Sequence, residues 1–310
     1  MINIHSKIFI AGHKGMLGSS ILRRLKKKGY KNLITVEKKK LDLRNQASVK
    51  KFFKKKKFDA VIIAAAKVGG IKANIDYPAN FIYDNLQIQI NLISASYENK
   101  VKRLIFFGSS CIYPKDLKKP IRENQILTSN LEKTNESYSV AKIAGIKMIE
   151  AFNKQYKTKY VCLMPCNLFG PNDNYDPKDS HFVPALIKKI FAASKKNKIV
   201  KLWGTGKPLR ELLYVDDVAD ACEYFLRKKT KFSLINIGSP IEMSIKDYAI
   251  KIKNKIDPNV LIKFDNNVKL DGVKRKKLDT SLAAKNGWRA KINFSKALDK
   301  TIKDYINFHS

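Results

Sequence analysis

The chain has 310 residues, 44% of them hydrophobic, and 62 Lys and Arg against 27 Asp and Glu give a formal net charge of +35; this suits one large α/β domain or two closely joined ones. No apolar run approaches the roughly 18 residues of a membrane span, no secretory leader is read in "MINIHSKIFIAGHKGMLG", and Cys111, Cys162, Cys166 and Cys222 show neither CxxC pairs nor a disulfide framework, so no metal is expected and a reducing cytoplasm is. Only nine of the cations are arginine, and the lysines are dispersed over polar helix faces ("LRRLKKKGY", "KKFFKKKKFD"), which reads as a solvated basic surface and excludes nucleic acid as the expected partner.

In chain order, "KIFIAG" (7–12) predicts a strand and 15–28 a helix. "LITV" (33–36), "AVIIAAA" (60–66) and "RLIFFG" (103–108) follow as strands, with helices near 45–57 and 80–98 between them. A helix over about 137–156 leads to the strand "YVCLMP" (160–165), where Cys162 and Cys166 read as strand packing. Strand and helix alternating at this spacing predict an α/β fold with a doubly wound parallel Rossmann sheet and right-handed crossovers. From Asn167 the punctuation becomes dense ("NLFGPNDNYDPKDS"), as at a domain edge or a substrate loop. We therefore expect a dinucleotide-binding domain over 1–170, with the chain returning to it near 211–238. Residues 171–310 then form mainly a smaller, mixed α/β substrate-binding domain, interleaved with the first.

Gly12, Gly15 and Gly18 in "AGHKGMLGSS" stand where the first strand turns into its helix, in the spacing GxxGxxG. Glycines there let the backbone approach a pyrophosphate seated on the helix N-terminus. At the end of the second strand an acid would bind a ribose 2′-hydroxyl, and a cation would accept a 2′-phosphate. Glu37 is followed by Lys38, Lys39 and Lys40, and Lys14 lies in the glycine loop. The cations favour NADP(H), with Glu37 expected to point away.

"ESYSVAKIAG" places Tyr138 and Lys142 one helical turn apart on one face. An ammonium at that distance is expected to lower the phenol pKa and make Tyr138 a proton donor or acceptor. With Ser109 just after the fourth strand, the Ser–Tyr–Lys set resembles the short-chain dehydrogenases/reductases. The chain length and "RELLYVDDVA" resemble their extended branch, which acts largely on nucleotide sugars.

The segments "FIAGHKGMLGS", "AAAKVGGIKAN", "FGSSCIYPK", "SYSVAKIAGIKM", "MPCNLFGPNDN", "SHFVPALI" and "DGVKRKKLD" are similar to the GDP-L-fucose synthase family of bifunctional epimerase–reductases. The resemblance implies NADP as cofactor, GDP-4-keto-6-deoxy-D-mannose as the GDP-sugar substrate, and a homodimer formed through the helices near 80–98 and 137–156. It implies catalytic roles for Ser109, Cys111, Tyr138, Lys142 and His181. The cofactor would be surrounded by Gly12, His13, Lys14, Gly15, Met16, Leu17 and Gly18, and its adenosine by Lys38, Asp42 and Leu43. Phe107, Gly108, Ser109, Ser110, Lys142, Pro165, Cys166, Asn167, Leu168 and His181 would border its remainder. Lys189, Trp203, Arg210 and Asp271 would contact substrate. Lys14 stands where the family usually has arginine, and Cys166 where it has threonine.

Inverting two carbons beside a ketone requires an acid and a base on opposite sides of the sugar. Cys111 and His181 match those positions, with reference pKa values near ~8.5 and ~6.5. On its own Cys111 also reads as a small packed hydrophobe, His181 as a helix cap and Trp203 as strand packing. Two rival functions stay open: a GDP-L-colitose synthase-type enzyme acting on a 3-deoxy sugar, and a non-catalytic dinucleotide-sensing protein.

Overall fold

β1 (Ile8–Ala11) is four fully buried apolar residues, and a strand apolar on both faces belongs inside a sheet covered by helices on each side. The computed structural model describes residues 2–115, 119–176, 180–196, 199–268, 271 and 273–309. Residues 177–179 of the dense loop and Gly272 of "DGVKRKKLD" lie outside them. β1 leads into α1 (Met16–Lys27), whose last turn carries Arg24, Lys26 and Lys27. Cations there oppose the partial negative charge of a helix C-terminus.

β2 (Leu33–Ile34), α2 (Gln46–Lys56), β3 (Ala60–Ile63), α3 (Ile71–Asp76), α4 (Pro78–Glu98) and β4 (Arg103–Phe107) follow. α5 (Glu136–Tyr156) and β5 (Tyr160–Pro165) complete this first run. β2 is shorter than expected, because the chain turns at Glu37, whose carbonyl accepts from the Lys40 and Leu41 amides. α3, a short helix with Gly70 at its N-cap position, was absent from the expected elements.

Beyond β5 the chain forms β6 (Asn167–Phe169), α6 (Phe182–Ser194), β7 (Val200–Leu202), β8 (Leu209–Tyr214), α7 (Val215–Arg227) and β9 (Leu234–Ile237). β10 (Glu242–Ser244), α8 (Ile245–Ile256), β11 (Ile262–Phe264), β12 (Arg275–Lys276), α9 (Ser281–Lys285) and α10 (Phe294–His309) end it.

Six strands pair in the order β2-β1-β3-β4-β5-β9, every pair parallel. α4 packs on α5 and on α2, whereas α1 packs on α7, so helices cover the sheet as a doubly wound fold requires. The strand order reverses between β1 and β3, and ligands of such sheets bind beyond the carboxyl ends of the strands at that reversal. The glycine loop after β1 and the segment after β4 both open there.

A second layer is built around β8, which pairs antiparallel with β10 and parallel with β12 and β6. Its own core gathers Phe169, Leu186, Ile187, Ile190, Tyr214, Tyr248 and Leu298. Only with α7 and β9 does the chain rejoin the six-stranded layer. Ser20 on α1 donates to Asp216 at 2.6 Å, and Arg24 pairs with Asp220, fastening α7 in place. Glu211 of β8 ties the layers: its buried carboxylate accepts from the Ser239 amide at 2.7 Å and the Leu278 amide at 2.8 Å. Burial pushes it up to about 7, against the opposing pull of Lys277.

Candidate active site

Gly12 sits at φ +85°, and a Cβ there would come within 2.5 Å of the Ala65 backbone nitrogen. At Gly18 a Cβ would lie 2.0 Å from the Gly12 carbonyl oxygen. Two glycines are thus required for loop and helix to cross. Gly15, the N-cap of α1, offers no side chain to the first-turn N–H groups, which is the arrangement that receives a phosphate. The Nδ1 of neighbouring His13 is buried without a hydrogen-bond partner among the described residues. This cradle, with Met16 and Leu17 half-buried behind it, fits a dinucleotide pyrophosphate.

At the adenosine corner the expectation for Glu37 requires correction. Glu37 does not point away; its carboxylate meets Lys14 at 2.7 Å. Hydrogen bonding to Lys14 holds its pKa below the usual carboxylate range. Lys38 is exposed beside it. Asp42 accepts from Arg44 at 2.7 Å, and Arg44 also reaches Asp84 on α4 at 3.0 Å. These hydrogen bonds bring Asp42 down to about 2. Leu43 is half-buried next to it, and Arg44 went unnoticed in the sequence because its role depends on the distant Asp84.

β4 delivers Phe107 and Gly108 to the same edge. A Cβ on Gly108 would approach the Met164 sulfur to 2.8 Å. Ser109 then caps a 3₁₀ turn, Ser110–Ile112, that carries Cys111. The Ser109 Oγ lies 2.9 Å from the Cys111 Sγ. Lys142, one turn along α5 from Tyr138, donates to the Phe107 carbonyl at 2.9 Å. Its ammonium stands over the rings of Phe106 at 4.6 Å and Tyr138 at 5.9 Å.

Here a second expectation is overturned. Tyr138 is not lowered by Lys142: burial raises it well above the ordinary phenol value, the Cys111 charge adds to that, and the Ser109 hydrogen bond only opposes it. The reason is geometric, since the Lys142 ammonium is turned toward a backbone carbonyl. Burial pulls Lys142 itself down to about 8. Tyr138 is therefore a neutral phenol beside a cation that titrates near the working range.

Cys111 is half-buried, with its thiol on Ser109, unlike Cys162, Cys166 and Cys222, which are fully enclosed. Burial raises all three of those thiols, Cys162 to about 12. Pro165 and Cys166 are buried at the end of β5, and Asn167 and Leu168 emerge from it. His181 is the N-cap residue of α6, but its side chain makes no capping hydrogen bond. Its Nδ1 lies 3.8 Å from the Oδ1 of buried Asp173 instead. Asp173, in "GPNDN", looked like one more polar loop residue; only the fold sets it behind His181.

Trp203 follows β7 with 76% of its surface exposed, so it is not strand packing, and the Lys189 ammonium lies 5.4 Å from its ring centroid. Asp271 accepts from both the amide and the hydroxyl of Thr205 at 2.7 Å, holding the turn that presents Trp203. Arg210 donates to the carbonyls of Leu209 and Val273 at 2.9 and 2.7 Å. Lys276 pairs opposite Arg210 in the β12–β8 register. Burial lowers its pKa, with the charge of Cys111 opposing. Lys276 was one basic residue among several in "DGVKRKKLD", and nothing in that run distinguishes it.

Residues 8–238 match the NAD dependent epimerase/dehydratase family. The chain is 46% identical to GDP-L-fucose synthase 1 of Arabidopsis thaliana, over 97% of this chain and 93% of that protein. It is 37% identical to GDP-L-colitose synthase of Yersinia pseudotuberculosis, over 97% and 98%. Among solved structures it resembles MlghC, a GDP-mannoheptose C4 reductase from Campylobacter jejuni with NADP bound, at TM-score 0.90 and 36% identity, covering 99% of this chain and all of that one.

Proposed function

The chain belongs to the NAD dependent epimerase/dehydratase family, and we propose that it catalyses the GDP-L-fucose synthase reaction. In that reaction GDP-4-keto-6-deoxy-D-mannose is epimerised at C3 and C5 and then reduced at C4 with NADPH. The observation that carries the reading is the Ser109 hydroxyl, 2.9 Å from the Cys111 thiol, at the sheet edge where Lys142, one turn along α5 from Tyr138, reaches the Phe107 carbonyl. One edge thus gathers a proton donor suited to reduction and a thiol suited to epimerisation. The 46% identity to a GDP-L-fucose synthase, against 37% to a GDP-L-colitose synthase, favours the fucose-type substrate.

The GxxGxxG cradle, Lys14, Lys38, Asp42 and Leu43 would hold the dinucleotide, and Lys142 would meet its ribose. Once bound, NADPH supplies the hydride. Ser109 and Tyr138 hold the C4 oxygen, polarising the ketone so that the neighbouring C–H protons become acidic. Cys111 removes such a proton from one face, and His181 delivers one to the other. The Asp173 carboxylate, 3.8 Å from the His181 Nδ1, favours the protonated imidazole that delivers this proton. When C4 is reduced, Tyr138 gives its proton to the forming alkoxide, a task for which its raised pKa keeps it protonated. Arg210 and Lys189 meet the diphosphate, and Trp203 offers a face for stacking.

Tyr83, Ile90 and Tyr97 are exposed at seven-residue intervals along α4, and Val140 and Tyr156 on α5 are exposed as well. Apolar surface on two packed helices supports a homodimer built on that pair, with mass from light scattering as its test. Four free cysteines are consistent with a reducing cytoplasm, and among the described residues no helix is long and apolar enough to cross a membrane. The spread of lysine over the surface supports no nucleic-acid partner.

The function is tested by incubating the protein with NADPH and GDP-4-keto-6-deoxy-D-mannose and resolving the product by NMR. GDP-L-fucose is expected. A C4-reduced product with both stereocentres retained would make the chain a reductase alone.

A further inference from the structure

Lys14 and Glu37 come from neighbouring strands of the sheet, one in the loop after β1 and the other three residues beyond β2. Their 2.7 Å ion pair therefore lies at the corner where the adenosine ribose of a dinucleotide is read. We propose that Glu37 competes with the cofactor's 2′-phosphate for Lys14, so that one carboxylate sets how strongly this chain prefers NADP(H) over NAD(H). The inference rests on the NADP reading above and goes beyond it.

Both partners are accessible, with side-chain exposures of 69% and 47%, so the pair can open without disturbing packed structure. Lys14, Lys40 and His13 all favour the ionised carboxylate, which makes Glu37 an anion throughout the neutral range. An arriving 2′-phosphate needs the same ammonium and must part the pair or share it. Exposed ion pairs contribute little, so the handicap is about two- to fivefold in affinity. An unphosphorylated ribose has the opposite relation to the same residue: a carboxylate at the end of the second strand accepts from a 2′-hydroxyl. Removing Glu37 should therefore strengthen one ligand without strengthening the other. A purely general electrostatic effect would strengthen both, because both carry phosphate.

The experiment is calorimetric titration with adenosine 2′,5′-bisphosphate and with 5′-AMP. It uses the wild-type chain, Glu37→Gln, Lys14→Met and the double variant, with circular dichroism confirming that each folds. Glu37→Gln is expected to bind the bisphosphate about two- to fivefold more tightly and 5′-AMP no more tightly. In the Lys14→Met background the same substitution is expected to leave bisphosphate affinity unchanged. The proposal is overturned if Glu37→Gln tightens both ligands equally, leaves the bisphosphate unaffected, or acts as strongly without Lys14. A wild-type preference for the bisphosphate with any of those results would remove the role of Glu37 and leave the NADP reading standing. If neither the wild type nor any variant distinguishes the two ligands, the NADP reading falls as well.

Discussion

The Oγ of Ser109 lies 2.9 Å from the Sγ of Cys111, within a single 3₁₀ turn at the end of β4. Two residues apart, they share one short segment, so the group proposed to steady a ketone oxygen and the group proposed to take a neighbouring proton are held together. Replacing Cys111 by serine keeps size and hydrogen bonding but removes a usable base. The expected result is loss of solvent deuterium uptake at C3 and C5 in D₂O, with NADPH-dependent reduction surviving at a low rate. Wild-type exchange in the variant would return Cys111 to a packing role.

Tyr138→Phe removes the phenol hydroxyl and leaves Lys142 in place. Loss of general-acid help costs about 10²–10⁴-fold in rate. Reduction should fall by that factor while NADPH affinity, read by fluorescence titration, stays near the wild-type value. A variant that turns over normally would show that the proton comes from elsewhere.

Burial pulls Lys142 to about 8, so kcat/KM for NADPH should decline as pH rises through that value and the ammonium proposed to hold the cofactor is lost. Stability has the opposite sign. Between about 8 and the ordinary lysine value of 10.5, the folded chain holds fewer protons at this site than the unfolded chain, which favours the folded state as pH rises. The decline in kcat/KM should therefore appear in a protein whose melting temperature is not lowered by this group. Lys142→Met should abolish the inflection.

Glu211 gives a contrasting pH dependence. Its pKa is raised from 4.5 to about 7 in the fold, so its contribution is complete below pH 4.5 and is lost as pH climbs through about 7. Glu211→Gln should lower the melting temperature overall, since one amide oxygen cannot serve both the Ser239 and Leu278 amides as two carboxylate oxygens do. It should also flatten the wild-type decline between pH 5 and 8. Parallel curves for the two proteins would exclude Glu211 as the titrating group.

The alternation of buried strands and helices was legible because each is a local pattern, repeated six times in the parallel sheet. The glycine turn and the Tyr138–Lys142 spacing were legible for the same reason. What escaped the sequence depends on distant partners or on the direction of a flexible side chain. Nothing local predicts that Lys142 turns to the Phe107 carbonyl and so fails to lower Tyr138, or that Glu37 bends toward Lys14. Asp173 and His181 lie on either side of a loop whose course cannot be read from composition. Arg210 was readable as a cation, but not as one already holding the carbonyls of its own sheet.

The chain's two tryptophans occupy opposite environments. Trp203 is 76% exposed beside Lys189, whereas Trp288 is 3% exposed, with its indole nitrogen on Asp220 at 2.9 Å. Their emission should separate accordingly, a red-shifted component from the first and a blue-shifted one from the second. A guanine nucleotide stacking on Trp203 would quench only the red component, while loss of the α1–α7 packing would shift only the blue. The protein thus carries its own optical readout, in which ligand occupancy and structural integrity are reported by different wavelengths of one spectrum.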